Sequence, residues 1–306
     1  MEFVLRTKGL SKRYKGQLVV DGVDITVKKG DIYGFVGENG SGKTTLIRLV
    51  TGLIEPSAGG FELFGIENTS REILSARRKV GAIVESPSIY LNLSARENLQ
   101  MQQTLLGKKD DGKIKETLER VGLGELFDSK KKVGNFSLGM RQRLGIGMAL
   151  LGEPQFILLD EPMNGLDPQG IVEIRELILQ LNLVHGITFL ISSHILSELS
   201  LVANKYGIIC KGMLIREITA EELKAECRPS TCFHAGDEEG LYRTLSAIFE
   251  AQDLVRFQGG TRVRGKVDLN AVFAKLNEAG IDVTTVNSRE AGIEEFYLSL
   301  LEARNV

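Results

Sequence analysis

The residues Gly37-Glu38-Asn39-Gly40-Ser41-Gly42-Lys43-Thr44 set a lysine and a hydroxyl directly after three spaced glycines, a pattern that binds nucleotide phosphates. Glycine lets successive backbone N–H groups curl around phosphate oxygens where a Cβ would obstruct them. Lys43 supplies a compact charge for the β- and γ-phosphates, and Thr44, followed by Thr45, a hydroxyl for Mg²⁺. The flanks fit: Tyr33–Val36 reads as a strand, and Thr44–Val50 as a helix whose N-terminal dipole faces the loop. A glycine-rich turn with a surface lysine needs neither flank.

Phe156-Ile157-Leu158-Leu159-Asp160-Glu161 is an apolar strand ending in two carboxylates, which places acid groups at the sheet edge beside the phosphate loop. Neighbouring strand residues point to opposite sides, so the two acids have different tasks. Asp160 is placed to hold Mg²⁺, directly or from behind its ligands. Glu161, beyond the strand end, is the candidate to orient and deprotonate an attacking water. Ile191-Ser192-Ser193-His194 ends a further strand and brings His194 to the same edge. Taken alone, that histidine reads more readily as a structural residue, and only its position after this strand brings it toward the γ-phosphate.

The elements that must position these groups follow from periodicity. Through about residue 215, short β-branched runs alternate with longer amphipathic stretches, the pattern of a largely parallel sheet flanked by helices. Strands are expected at Ile32–Val36, Ala82–Val84, Phe156–Leu159, Thr188–Ile191 and Tyr206–Cys210, with a helical subdomain inserted at about residues 94–150. Arg228-Pro229-Ser230 marks a boundary. Beyond it come strands at Thr231–His234, Leu254–Phe257, Arg262–Val267 and Asp282–Val286, with helices at Glu238–Ala251, Leu269–Ala279 and Gly292–Ala303. No catalytic constellation stands out there.

Bulk properties narrow the class. The chain has 306 residues, 42% hydrophobic and 25% charged, enough for one large core and a second small one. No run approaches the roughly 18 to 20 apolar residues of a membrane span, and Met1–Arg6 has no signal-peptide pattern, so a cytoplasmic location is expected. Cys210, Cys227 and Cys232 form neither a disulfide framework nor a metal repeat. With a net charge of −2, no nucleic-acid partner is expected. Lys130-Lys131-Lys132 reads as a solvated loop.

Asn135-Phe136-Ser137-Leu138-Gly139-Met140-Arg141-Gln142-Arg143 precedes an apolar helix, with Ser137 as N-cap and Gly139 permitting close backbone approach. This stretch resembles the signature of ABC ATPases, usually Leu-Ser-Gly-Gly-Gln, and the resemblance extends over most of residues 1–215. It implies an α/β fold, a P-loop NTPase ABC ATPase core (1–228) with the inserted helical subdomain, plus a small C-terminal α+β domain (229–306). It also implies a homodimer sandwiching two ATP molecules, in which Ser137 and Gly139 of one copy cap the phosphate held by the other. Tyr14, in Ser11-Lys12-Arg13-Tyr14, matches the aromatic that stacks on adenine, though a buried strand-edge tyrosine fits the same letters. Asn164-Gly165-Leu166-Asp167 matches the loop linking the two sites, and His194 the switch histidine. The implied cofactors are ATP and Mg²⁺.

Two departures narrow the subgroup. Glu85 stands where glutamine is usual, and an acid there can still approach Mg²⁺ or water. Phe136, Leu138 and Met140 replace the usual signature residues. Together with the run Glu85–Leu99 they resemble the ATP-binding subunits of bacterial lantibiotic-immunity and bacitracin-resistance exporters. That resemblance implies separate transmembrane permease subunits, a place on the inner face of the cell membrane and a peptide-antibiotic cargo. Export of another cargo, or a soluble ABC ATPase acting on a non-transport target, is the alternative; the latter usually carries two cassettes or zinc-binding insertions, and neither occurs here.

Overall fold

The chain starts with an antiparallel layer: β1 (Phe3–Tyr14) turns through Lys15 and Gly16, both at positive φ, into β2 (Gln17–Val23) and then β3 (Thr26–Lys28). The computed structural model describes residues 3–227 and 229–289, together with Ile293, Phe296, Tyr297 and Leu300. After β4 (Ile32–Val36) come α1 (Lys43–Thr51), β5 (Ala58–Leu63), β6 (Ile66–Glu67), α2 (Ile73–Arg77) and β7 (Val80–Ile83). Three helices come next, α3 (Ala95–Leu105), α4 (Asp111–Arg120) and α5 (Leu138–Leu150). The chain then runs through β8 (Phe156–Asp160), α6 (Pro168–His185), β9 (Thr188–Ser193), α7 (Leu196–Leu199), β10 (Lys205–Cys210) and β11 (Met213–Thr219). The remainder comprises α8 (Ala220–Glu226), β12 (Ser230–Ala235), α9 (Glu238–Ser246), β13 (Leu254–Phe257), β14 (Gly260–Arg264), α10 (Leu269–Glu278) and β15 (Val283–Arg289).

Six strands form the central sheet in the order β11-β10-β4-β9-β8-β7, parallel except for β11. β4 and β8 are buried at every position, as strands covered on both faces must be. The register places Val36 opposite Ser193, Asp160 opposite Ser192 and Ile83 opposite Leu159. The phosphate loop, the two acids, the histidine and the segment leading to Glu85 therefore all leave the sheet at its carboxyl edge.

A second, antiparallel sheet, β2-β1-β5-β6 with β3 on β1, lies outside the sequence expectation. Register shifts between Leu10 and Lys12 and between Lys12 and Arg13 break the period of two that would have revealed β1. In the helical stretch, Ser94 and Glu97 form a reciprocal capping box at the start of α3. Buried Asn98 accepts the Tyr90 N–H and donates to the carbonyls of Tyr90 and Ser94, so a polar side chain fixes the approach to α3.

The chain divides into compact units Met1–Ala220 and Glu221–Val306, earlier than the boundary expected at Arg228-Pro229. The reason is that β11, the last strand of the central sheet, ends at Thr219, so nearly all of α8 already belongs to the second unit. That unit is a split βαβ arrangement, an antiparallel sheet β13-β14-β12-β15 with α9 and α10 as its crossovers. Phe233, Leu241, Leu245, Val263, Val272 and Leu276 form its core. The helix expected at Gly292–Ala303 lies, save for isolated positions, outside the described residues.

Candidate active site

Between β4 and α1 the backbone of the loop is shaped by its glycines. A Cβ on Gly37 would lie 2.4 Å from the Ile209 carbonyl oxygen. One on Gly42, at φ +109°, would lie 2.6 Å from that of Val19. These contacts clamp the loop between β10 and β2. Gly42 is the N-cap of α1 and offers no side-chain acceptor, and the first turn holds no acid. The leading amides of α1 thus face outward with the positive end of the helix dipole behind them, which suits an anion.

The Lys43 side chain is only 5% exposed. Its ammonium donates to the carbonyls of Gly37 (2.6 Å) and Glu38 (3.0 Å) and lies 3.2 Å from Glu161 Oε1, three acceptors for three N–H groups. Glu161 Oε2 lies 2.7 Å from His194 Nδ1. One carboxylate thus joins a lysine from α1 to a histidine from the end of β9. Glu161 sits at φ +49°, a left-handed conformation uncommon outside glycine, which turns its side chain out of the strand direction.

Ser192 holds the two acids in relation to each other. Its hydroxyl donates to Asp160 Oδ1 (2.6 Å) and accepts the Glu161 backbone N–H (2.9 Å), and the residue is fully buried. Sequence reasoning gave Ser192 no task, although it stands in the quoted run before His194. Ser192→Ala removes both bonds and leaves the Glu161 N–H unpaired. We expect a loss of about 1–3 kcal/mol in unfolding free energy, measured by urea titration, together with slower hydrolysis. An unchanged midpoint would show that water replaces the hydroxyl without cost.

Thr44 follows Lys43 at the start of α1, and Asp160 ends β8. One hydroxyl and one carboxylate on adjacent elements fit a hard cation that keeps phosphate oxygens and waters as its other ligands. Among the described residues no cluster of three or more acids, histidines or cysteines competes for such an ion. Glu85 is not gathered with this pair. It lies exposed beyond β7, and its carboxylate is engaged by Arg48 of α1 at 2.5 Å.

Glu198, also unremarked in the sequence, joins Glu161 and His194 in lining a cavity of about 90 Å³ beside the loop Pro162–Leu166. Burial raises its carboxyl pKa above the usual range, with the nearby Glu161 charge adding to the rise and His194 opposing it.

The remaining predicted residues lie apart from this cluster. Tyr14 is 40% exposed at the end of β1, paired with Gln17 across the turn and with the Lys12 ammonium 5.3 Å from its ring. An exposed aromatic face rules out the buried strand-edge alternative. Ser137 caps α5 by accepting the Met140 N–H. Gly139 is buried, yet a Cβ there would meet only ordinary contacts, the nearest at 3.8 Å to Gly170. Asp167 caps α6 by accepting the Gly170 N–H at 3.0 Å, and Leu166 lies close to Gly139 and Gly165 to Leu138. The start of α5 and the loop before α6 form one neighbourhood, separate from the chain's own phosphate loop in the hydrogen-bond pattern.

The family model described as ABC transporter matches residues 20–164. The bacitracin transport ATP-binding protein BcrA of Bacillus licheniformis is 43% identical over 303 residues, which cover 98% of this chain and 98% of that protein. The lantibiotic transport ATP-binding protein SrtF of Streptococcus pyogenes is 41% identical over 214 residues, 70% of this chain and 90% of that protein. Among solved structures, a dimeric ATP-binding cassette in a post-hydrolysis state with ADP and Pi aligns with a TM-score of 0.62 and 25% identity. It covers 71% of this chain and 98% of its own.

Proposed function

The chain belongs to the ATP-binding, ATP-hydrolysing subunits of ABC transporters, and we propose that it powers export of a peptide antibiotic of the bacitracin or lantibiotic type from a producing or resistant bacterial cell. One observation carries the cargo class: the likeness to the bacitracin transport protein runs end to end, through the second unit as well as the cassette.

In the proposed mechanism the loop amides and Lys43 hold the β- and γ-phosphates, and Tyr14 stacks on the adenine. Thr44 and Asp160 are the residues that would hold Mg²⁺, which when bound with the nucleotide would neutralise phosphate charge. Glu161 orients the water for in-line attack on the γ-phosphate and takes its proton, while His194 fixes the Glu161 carboxylate. Ser137 and Gly139 of a second copy close over the phosphates, and the Asp167 loop meets them from beside. Ser137 satisfies one amide of α5 and leaves the rest of that helix start for an anion. Catalysis then rests on positioning and electrostatics.

Among the described residues no helix is long and apolar enough to cross a membrane. In this reading, separate permease subunits provide the crossing and hold the chain on the inner face of the cell membrane. A groove of about 970 Å³ between β7, α3 and α5 suits their docking. Leu53, Leu105 and Leu106 are exposed along it, and Arg77, Arg78 and Lys108 supply a basic rim.

Growth inhibition tests the cargo. A sensitive bacterium carrying this subunit with its native permeases is challenged with lantibiotics, bacitracin and unrelated drugs, with the Lys43→Ala form as control. Protection against a peptide antibiotic that vanishes in the control is the expected result. Protection only against unrelated compounds moves the assignment to another cargo.

A further inference from the structure

In the proposed reaction Glu161 takes a proton from water at each turnover, and it must shed that proton before it can act again. Its two oxygens face Lys43 at 3.2 Å and His194 at 2.7 Å. The ammonium has donors and no acceptor, so the way out lies on the histidine side. There the cavity beside Pro162–Leu166 opens. Its volume of about 90 Å³ is several times the roughly 10–15 Å³ that one water needs, and Asn164 and Ser193 line it with hydrogen-bonding groups. Three titratable side chains reach it: Glu161 from beyond β8, His194 from the end of β9 and Glu198 from α7, while α6 contributes only the apolar Ile171.

Helix α7 is one turn long and is anchored by buried Leu196 and Leu199. Leu199 packs against the central sheet, where a Cβ on Gly34 of β4 would lie 3.1 Å from its side chain. With the leucines so held, Glu198 is half-buried on the cavity wall. Burial is the main reason that its carboxyl binds a proton more readily than an ordinary glutamate; His194 opposes the rise and the Glu161 charge adds to it. A carboxylate on the surface would avoid this desolvation, and the two acids feel each other across the cavity.

We propose that Glu198 receives the proton that Glu161 takes from the attacking water, with His194 and water in the cavity as the path between them. As the water oxygen bonds to the γ-phosphorus, the bond from phosphorus to the β,γ-bridging oxygen breaks and its electron pair leaves with ADP. The proton of the water goes to Glu161. The O–H bond on Glu161 then breaks as one forms on Glu198, which returns Glu161 to a carboxylate, and Glu198 passes the proton to solvent. Glu198 therefore resets the base without touching nucleotide. The inference rests on the reading above that Glu161 is the base.

Phosphate release is followed through the first and later turnovers, across a range of pH, in the full chain assembled with its native permeases. Glu198→Gln keeps the first turnover within about threefold of the original and slows the later ones at least about fivefold, because the base is reset late. In the unmodified chain steady turnover falls as pH drops through the raised Glu198 pKa, since a protonated carboxyl cannot receive a further proton. Glu198→Gln removes that part of the acid limb and Glu198→Asp keeps it. Formate restores most of the later turnovers to Glu198→Ala by supplying a carboxylate to the enlarged cavity. Unchanged later turnovers and acid limb in Glu198→Gln overturn the proposal, as does a slow Glu198→Ala form that formate leaves slow. Glu161→Gln distinguishes the two failures: a fast first turnover there removes the base itself, whereas a slow one beside an unaffected Glu198→Gln removes only the acceptor.

Discussion

Glu161→Gln lowers ATP turnover by about 10²- to 10⁴-fold while the protein still binds ATP with Mg²⁺. The expectation follows from where the carboxylate sits. Its two oxygens meet Lys43 and His194, and its backbone N–H is held by Ser192, so the amide keeps the shape and most of the hydrogen bonds. What it loses is the charge and basicity needed to take a proton from water. Single-turnover measurement of phosphate release separates this chemical step from binding and product loss. Turnover within about tenfold of the original would remove Glu161 as the base and turn attention to His194 as the group that positions the water.

Lys43→Ala acts at the earlier step. The ammonium makes three contacts, to Gly37, Glu38 and Glu161, in a site that is almost fully buried. Charge-assisted hydrogen bonds contribute about 1.5–3 kcal/mol each, so losing the two that phosphates would take weakens ATP binding by about 10²-fold or more. Titration with a fluorescent ATP analogue measures it. The two variants then separate cleanly, since Glu161→Gln keeps binding without turnover and Lys43→Ala loses binding first. Tight binding by Lys43→Ala would mean that the loop amides and the α1 dipole suffice to hold the phosphates.

The same two residues show how unevenly information is distributed along the chain. Gly37 to Thr44 are contiguous, and backbone geometry accounts for Gly37 and Gly42, where a Cβ would strike Ile209 or Val19, and for a lysine at the first position of the helix. A motif of this kind is legible because the turn chemistry is local. The acids Asp160 and Glu161 were legible for a related reason, since an apolar strand ending in charge must deliver that charge to a sheet edge. The helical stretch between residues 94 and 150 announced itself by periodicity, while the Ser94–Glu97 cap at its start came only with the structure.

What the sequence left open are partnerships across the sheet. Ser192 reaches Asp160 over 32 residues and Glu161 over 31, and Arg48 reaches Glu85 over 37. None of these separations carries a local signal, because each depends on the register that sets β9 beside β8 and the end of β7 beside α1. The antiparallel layer stayed hidden for another reason: bulges in β1 shift the alternation of buried and exposed positions that a period of two requires. Local spacing therefore pointed to a nucleotide phosphate and to the residues proposed to hold it. Tertiary register alone decided that Glu85 meets an arginine on the phosphate-loop helix, since a carboxylate pairs with whichever cation the fold brings within reach.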